Sequence, residues 1–445
     1  MAVLLIVIFG GQQLMDKSAP PQDGLRFGNA ATQLELIVQG KAVIFQNTFA
    51  KAVPSGNVGF PGIRPQDPFD QIAPKVRDGA ACRAIAALRL YADPNDTITA
   101  LHDLDSFARE LEEGEALVHA LAKKEIETPG TLTDDEQAAL RYQMHWFAGP
   151  LFLARADPDD PGRHALTGKS TVVILYFFFA ILAAIGGFLV GIALLGAAAV
   201  KHRAGTLSLA FQPGRSNGTA YLLSFIIFIG IMSLQFVLII ANVVVPLAGV
   251  AIFSGSFVGA LVCAFLLTEG SFKERRRALG LHRGRGILRE IGAGLVGYCA
   301  VIPVAAIGGL ISFALFGIMA ALGLGADEAA AGHPIQDLFF DAPISARIGL
   351  LLLAAVAAPL IEETMFRGLL YRGLRQWMPM LVSGLLMGTA FALVHPQMFA
   401  VLPILAALGL GFGLLREWRD SLIAPMVAHG LHNGILITGL WLMVL

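Results

Sequence analysis

Near its C-terminus the sequence reads Ile361-Glu362-Glu363-Thr364-Met365-Phe366-Arg367, directly after the apolar run 349–360. Two adjacent carboxylates and an arginine therefore fall inside a segment that is otherwise suited to hydrocarbon. Charge at membrane depth is costly, and ionisable residues found there usually face a protein interior and mark function. This stretch predicts the fold class, a membrane protein, and also the place of its functional site.

Composition supports the membrane assignment. The 445 residues are 56% hydrophobic and 15% charged, whereas a soluble protein carries about 25% charged residues. The mean hydropathy is +0.67. A net charge of -1 predicts no nucleic-acid partner. The cysteines Cys82, Cys263 and Cys299 lie too far apart to indicate a disulfide framework or metal-ligand spacing.

The N-terminal part differs from the rest, since residues 1–170 hold 22 of the 33 acidic residues. Residues 1–15 are apolar but shorter than the roughly 20 residues of a spanning helix. They could be the remainder of an anchor or signal, and a frayed apolar terminus is the alternative. Residues 16–165 are interpreted as a soluble, mainly helical domain of unassigned role, with Trp146 and Phe147 in its core.

Local signals mark two points in this part of the chain. The spacing of Thr133 and Glu136 predicts a capping box at the start of a helix. Residues 156–170, rich in Asp and Pro, are interpreted as a linker to the membrane domain.

Residues 171–445 are predicted to form an all-α polytopic membrane domain of about eight transmembrane helices. The predicted spans are 172–200, 219–245, 247–268, 290–322, 346–372, 379–396, 398–415 and 421–444. Lysine and arginine follow spans one, three, five and seven. The positive-inside rule makes those loops cytoplasmic. An integral, multi-pass protein of a bacterial inner membrane is the expected localisation, and the lipid bilayer is its expected environment.

The two glutamates are predicted to have different roles. Adjacent residues on a helix diverge by about 100°, so Glu362 and Glu363 cannot both point at one spot. Glu363 and Arg367 are four residues apart, which suits an ion pair on one helix face. We therefore assign the chemistry to Glu362 and a supporting role to Glu363.

Histidines in two later apolar segments could complete the site. His395 ends the segment Phe391-Ala392-Leu393-Val394-His395, and His429 shares a helix face with Asn433. His432, three residues after His429, could share that face or contact a neighbouring helix. A single histidine in a membrane helix is often only packed, but a Glu or His from each of three spans favours a reaction centre.

These residues allow two chemistries, and the residues alone leave both open. A glutamate and a histidine can deprotonate a water for attack on a carbonyl, with His429 and Asn433 stabilising the oxyanion. Alternatively, Glu362, His395 and His429 form a zinc-hydrolase ligand set with a fourth position open for water. No HExxH motif and no serine elbow occurs in the sequence.

The ordered motifs resemble those of the CPBP family, the type II CAAX prenyl endopeptidases and bacteriocin-processing, abortive-infection-like intramembrane proteases. They are Glu362-Glu363-x-x-x-Arg367, Phe391-x-x-x-His395 and His429-x-x-x-Asn433, with Leu279-Gly280-Leu281 resembling a short motif that often precedes the domain. The resemblance covers about residues 280–445 and implies that they form the catalytic core.

The resemblance implies an intramembrane endopeptidase with a membrane-associated, prenylated or secreted peptide as substrate. It implies that Glu362 and His395 activate water and that His429 and Asn433 hold the oxyanion. Glu363, Arg367 and Phe391 would support the site, and both a divalent metal such as zinc and a metal-free glutamate mechanism stay open. The alternative functions are a non-catalytic membrane scaffold, an immunity factor or a transporter that uses a protease-like fold.

Overall fold

The computed structural model describes residues 36–45, 79–106, 113–214, 217–240, 246–322, 343–395 and 399–444. In these ranges the chain forms helices and no strand. The all-α prediction is therefore confirmed for the described residues. The predicted anchor or signal at 1–15 lies outside them.

The chain divides into two compact units, each described separately. The N-terminal unit comprises residues 18–180, 327–340 and 439–445, and the main unit comprises residues 1–17, 181–326 and 341–438. The first segment of the N-terminal unit ends at residue 180, within a helix, and the domain boundary near 165–171 stays a prediction.

The N-terminal unit contains short helices around one apolar core. They are α1 (Leu36–Phe45), α2 (Gly79–Ala92), α3 (Thr97–Asp105), α4 (Glu113–Glu127), α5 (Asp134–Met144) and α6 (Ala148–Leu153). Phe147 is buried in the core and Trp146 packs against it, as predicted. The predicted capping box is present at the start of α5, where the Thr133 and Glu136 side chains each accept from the other residue's backbone N–H.

The predicted linker at 156–170 is shorter than expected, because a helix occupies its second half. Helix α7 runs from Pro161 to Arg203. Proline is favoured in the first turn of a helix, where its missing N–H has no partner to lose. The Asp160 carboxylate accepts from the backbone N–H of Gly162 at 2.7 Å, which caps the new helix. Only residues 156–160 precede it.

The remaining helices are α8 (Gly218–Ile240), α9 (Pro246–Leu267), α10 (Phe272–Ala278), α11 (Ile287–Ala321), α12 (Ile344–Leu374), α13 (Met380–Leu393), α14 (Leu402–Arg419) and α15 (Ile423–Val444). Among the described residues five helices are long and apolar enough to cross a membrane, or six if the bent pair α9–α10 counts as one span. Each predicted span overlaps a helix, yet α13 has only 14 residues. At 1.5 Å per residue it covers about 21 Å, less than the hydrocarbon thickness. The count of eight spans stays a prediction.

Helix α14 packs closely against both α11 and α13 in the main unit. A Cβ atom added to Gly388 of α13 would lie 2.4 Å from the carbonyl oxygen of Ala406, and one added to Gly409 of α14 would lie 2.6 Å from Gly388 Cα. On the other side, a Cβ at Gly411 would lie 2.8 Å from a Val301 methyl group of α11. Small residues let membrane helices approach in this way.

Helix α12, which carries the opening motif, is not uniform. Residues Leu353–Ala357 and Thr364–Leu370 form π-helical turns on either side of the α-helical segment Ala358–Glu363. Pro359 lacks a backbone N–H, so it cannot donate the regular α-helical hydrogen bond to the carbonyl four residues before it. Wide turns of this kind are rare and often occur at functional sites. The sequence predicted an uninterrupted span at 346–372.

Two arginines that the sequence assigned to a loop lie in a helix instead. Arg416 and Arg419 are buried in the last turn of α14. Arg419 forms a bidentate ion pair with Glu290 of α11, at 2.9 and 2.7 Å. Burial is possible here because each guanidinium finds an acid close by, which offsets the cost of desolvation.

Candidate active site

The adjacent glutamates of α12 do face different surroundings. Glu363 is fully buried, and its Oε1 accepts from Arg367 Nη1 at 2.9 Å. The predicted ion pair is thus present, even though a π turn begins between its two members. The Glu362 side chain, by contrast, is 13% exposed.

Arg367 links the glutamate pair to the rest of the main unit. Its Nη2 donates to the Gly409 carbonyl of α14 at 2.8 Å. Its guanidinium carbon lies 4.8 Å from the ring centre of Phe391 and 5.4 Å from that of Phe412. Cation–π contacts of this kind strengthen away from water. Phe391 therefore packs beside the site as predicted, and Phe412 is an aromatic neighbour that the motifs did not indicate.

His429 of α15 bridges the two glutamates. Its Nδ1 lies 2.9 Å from Glu363 Oε1, and its Nε2 lies 3.7 Å from Glu362 Oε2. An ionised carboxylate only accepts, so Nδ1 carries the proton and donates. The imidazole stacks on Phe412, with ring centres 5.0 Å apart and planes 20° apart. The contact between His429 and Glu363 joins residues 66 apart in sequence, so no local sequence pattern predicts it.

His395 approaches Glu362 from just beyond the end of α13. Its Nδ1 lies 2.6 Å from the Phe391 carbonyl oxygen, which can only accept, so Nδ1 carries a proton. Its Nε2 lies 4.0 Å from Glu362 Oε2. In the neutral imidazole this Nε2 is the basic nitrogen, and it faces the carboxylate.

The structure brings Glu362, His395 and His429 together, with both imidazole Nε2 atoms near one Glu362 oxygen. Glu362 Oε2 is buried and has no hydrogen-bond partner among the described residues. Both imidazole Nε2 atoms lie beyond hydrogen-bond distance from it, at 4.0 Å for His395 and 3.7 Å for His429. A water hydrogen-bonded to both sides of such a gap would satisfy the orphaned oxygen.

Asn433 and His432 lie on the same helix as His429 but have other contacts. Asn433 Nδ2 donates to the Ala354 carbonyl of α12 at 2.8 Å, within the first π turn. Since an amide nitrogen carries two protons, one remains for another acceptor. His432 Nδ1 lies 3.0 Å from the Tyr298 hydroxyl of α11. His432 therefore contacts a neighbouring helix, one of the two placements that the sequence allowed.

The predicted metal ligands have suitable chemistry but not the expected spacing. Two ligand atoms of a tetrahedral zinc ion lie about 3.3 Å apart, and the Glu362–histidine distances are 3.7 and 4.0 Å. Among the described residues no three His, Cys, Asp or Glu side chains lie at metal-ligand spacing. We therefore describe the chemistry through the side chains alone.

These features define a class: a helical membrane protein in which two imidazoles from different helical segments approach one largely buried carboxylate. Residues 344–435 match the family described as Type II CAAX prenyl endopeptidase Rce1-like. This match over the part of the chain that carries the site supports the similarity to CPBP family proteases that the motifs indicated. No curated protein and no solved structure matches the chain.

Proposed function

We propose that the protein is an intramembrane endopeptidase that hydrolyses a peptide bond with a water held by Glu362 and His395. One observation carries this proposal: the unpartnered Glu362 Oε2 lies opposite the Nε2 atoms of both His395 and His429. A base must lie within reach of the proton it removes, directly or through one water. Glu362 and His395 meet that condition from two different helical segments.

The reaction begins with the water oxygen attacking the carbonyl carbon of the scissile bond. The proton that leaves the water passes to the Glu362 carboxylate, while His395 Nε2 accepts the other water hydrogen and orients it. Collapse of the tetrahedral intermediate breaks the C–N bond, and the proton on Glu362 moves to the leaving amine. The Phe391 carbonyl supports this role by fixing His395 with Nε2 unprotonated.

His429 and Asn433 would stabilise the negative oxygen of the intermediate. For His429 Nε2 to donate, the imidazole must carry protons on both nitrogens. The Glu363 carboxylate accepts from Nδ1, which orients the imidazole so that Nε2 faces the reaction centre. The free amide proton of Asn433 is the second donor. Hydrogen bonds that are already in place before charge develops contribute strongly to catalysis.

Glu363, Arg367 and Phe391 would act as positioning residues. Glu363 joins Arg367 to His429, Arg367 joins α12 to α14, and Phe391 contacts Arg367 and the His395 imidazole. Through these contacts the fully buried ion pair fixes two histidines relative to Glu362.

Zinc dependence stays a proposal for the triad Glu362, His395 and His429. A metal there would polarise the carbonyl and acidify a water when bound. Metal analysis of purified, active protein before and after chelator treatment tests it. Activity that survives with no stoichiometric metal would reject the zinc proposal and leave the glutamate mechanism.

The substrate is proposed to be a membrane-associated peptide, either prenylated or secreted. We also propose that the protein crosses a bacterial inner membrane eight times, with its basic loops in the cytoplasm. Two probes distinguish the substrates: an S-farnesyl cysteine peptide with three further residues, and an unmodified single-span peptide.

Cleavage of either probe by the purified full chain tests the function. Wild type should release new termini that mass spectrometry detects, while Glu362→Ala and His395→Ala should each slow cleavage by at least about 100-fold. Full cleavage by both variants would overturn the catalytic assignment.

A further inference from the structure

A second group of charged side chains lies where α12 and α14 end, apart from the active site. We call it the arginine cluster. It contains four arginines and three acids of the main unit: Arg372, Arg375, Arg416, Arg419, Glu290, Glu417 and Asp420. All four guanidinium groups are largely withdrawn from solvent, so each needs a counter-charge.

Each acid of the arginine cluster already has an arginine. Glu290 takes both its oxygens to Arg419, at 2.9 and 2.7 Å. Asp420 accepts from Arg416 at 3.2 Å. Glu417 accepts from Arg375 and also from the Tyr371 hydroxyl. The three acids are thereby used by three of the four arginines.

Arg372 is the arginine left over. Only 9% of it is exposed, and its Nε is buried without a hydrogen-bond partner among the described residues. The ion pairs of the three acids in the arginine cluster all go to the other arginines. Its guanidinium lies 5.5 Å from the ring centres of both Phe211 and Tyr221. Aromatic faces hold a cation in place but do not neutralise it. Its charge also acts unfavourably on the neighbouring Arg416.

The surroundings indicate what kind of anion would fit. Tyr221 lies in the first turn of α8, and Trp377, just after α12, packs against Gly218 at the start of α8. More than half of Trp377 is exposed. Tyrosine and tryptophan at helix ends mark the membrane interface, where lipid headgroups lie. The backbone beside Arg372 Nη2 is Gly214, where an added Cβ would lie only 3.2 Å away, so no side chain from that position covers the guanidinium.

We propose that Arg372 binds the phosphate of an anionic phospholipid headgroup at this interface. The phosphate supplies the negative charge that the arginine cluster lacks, and the guanidinium presents paired N–H donors to its oxygens. Basic sites at the ends of membrane helices bind anionic headgroups in this way. Because α12 also carries Glu362, a lipid bound here would hold the end of the catalytic helix.

Lipid binding to the full-length protein in an uncharged detergent tests the proposal. Phosphatidylglycerol is titrated in, with phosphatidylcholine as the neutral lipid, and retained lipid is counted by native mass spectrometry. Wild type should retain phosphatidylglycerol at least tenfold more tightly than Arg372→Gln does. Arg276→Gln is the matched control, since it removes the same charge from an exposed position of α10 and should bind as wild type does.

Two further measurements keep the result decisive. Arg372→Lys keeps the charge, so it should retain phosphatidylglycerol better than Arg372→Gln if charge recognition is the cause. If Arg372→Gln does not fold, wild type is compared with Arg372→Lys and Arg276→Gln instead, and a several-fold loss should appear only in Arg372→Lys. Equal binding by wild type and all folded variants would overturn the proposal. Inorganic phosphate is added at millimolar concentration as a competitor. If it displaces the lipid and binds with the same affinity as phosphatidylglycerol, the assignment of the site to a lipid headgroup would also be overturned.

Discussion

Glu362 and Glu363 are covalent neighbours with opposite electrostatic surroundings. Glu363 Oε1 accepts from both Arg367 and His429 at 2.9 Å, all within a buried group. Glu362 has only the two imidazole Nε2 atoms, both beyond hydrogen-bond distance. Glu363 Oε2, like Glu362 Oε2, has no hydrogen-bond partner among the described residues, so the contrast lies in the close ion pair and the imidazole hydrogen bond that only Glu363 forms. Division of roles between the two acids follows from this contrast.

The contrast predicts opposite effects of two similar variants on stability. Glu363→Gln leaves Arg367 buried without a full counter-charge, and breaking a buried pair costs roughly 3 kcal/mol. We expect its melting temperature in detergent to fall by about 5 °C or more. Glu362→Gln removes a charge with no close partner and should melt at or above the wild-type temperature. Equal melting temperatures for the two variants would contradict this division.

Lys41 of α1 predicts a pH dependence in the N-terminal unit. Burial, and to a lesser degree the charge of Lys169, lowers the pKa of Lys41 from 10.5 to about 8. Its ammonium lies 4.8 Å from the Trp146 ring centre. In the unfolded chain the pKa stays near its ordinary value. Between about pH 8 and 10.5 the unfolded chain therefore binds more protons, so stability rises with pH.

Below pH 8, Lys41 is protonated in both the folded and the unfolded state. The folded state then carries the full free-energy cost of burying the ammonium, roughly 3 kcal/mol. We expect Lys41→Met to make the N-terminal unit more resistant to limited proteolysis at pH 7, with a smaller difference from wild type at pH 9.5. Comparing the two proteins at each pH cancels the pH dependence of the protease. A difference that is the same at both pH values would argue against this account.

At the residue scale, the sequence predicted contacts between side chains of the same helix, because their spacing along the chain determines whether they meet. Four residues separate Glu363 from Arg367, and that pair is present. The contact between Glu363 and His429 depends on how α12 and α15 pack, and so do the two distances to Glu362. Packing between helices leaves no local pattern, so these contacts had to be seen in the structure.

Among the elements, α12 departs most from its prediction. Its apolar composition predicts a helix over 346–372, but hydropathy does not report hydrogen-bond register within a helix. Only Pro359 signals an irregularity, and π turns flank its segment on both sides. The first of these turns offers the Ala354 carbonyl to Asn433, which ties α12 to α15. The burial of Arg416 and Arg419 was missed for a related reason. Arginines that follow an apolar segment are typical of an exposed loop, and their ion-pair partners Asp420 and Glu290 are known only from the structure.

The close packing of α13 on α14 predicts a second pair of contrasting variants. A Cβ at Gly388 would lie 2.4 Å from the Ala406 carbonyl oxygen, and overpacking of this kind costs about 1–3 kcal/mol. Gly388→Ala should lower the melting temperature and slow cleavage, because the helix that leads to His395 must shift. Gly349→Ala on α12 meets nothing within 4 Å and should stabilise by about 0.5–1 kcal/mol. Both effects are read from melting curves and cleavage rates, and equal effects would refute the packing argument.

For the whole molecule, charge placement predicts orientation across the membrane. The helix α10 is bent by 120° from α9 and carries Lys273, Arg275, Arg276 and Arg277. The positive-inside rule places it in the cytoplasm. A cysteine at Lys273, in a chain whose three cysteines are replaced, should react with a membrane-impermeant maleimide in inverted vesicles and not in intact cells. The reverse labelling pattern would invert the proposed topology.

The central claim is that Glu362 and His395 act together on one water, and a double-mutant cycle tests it most directly. The values of kcat/KM for peptide cleavage are measured for wild type, Glu362→Gln, His395→Gln and the double variant, with melting curves to confirm folding. Groups that act as a unit give losses that do not add. We predict that the double variant is about as slow as the slower single variant. Losses that multiply, or a single variant that cleaves at the wild-type rate, would contradict the shared-water mechanism.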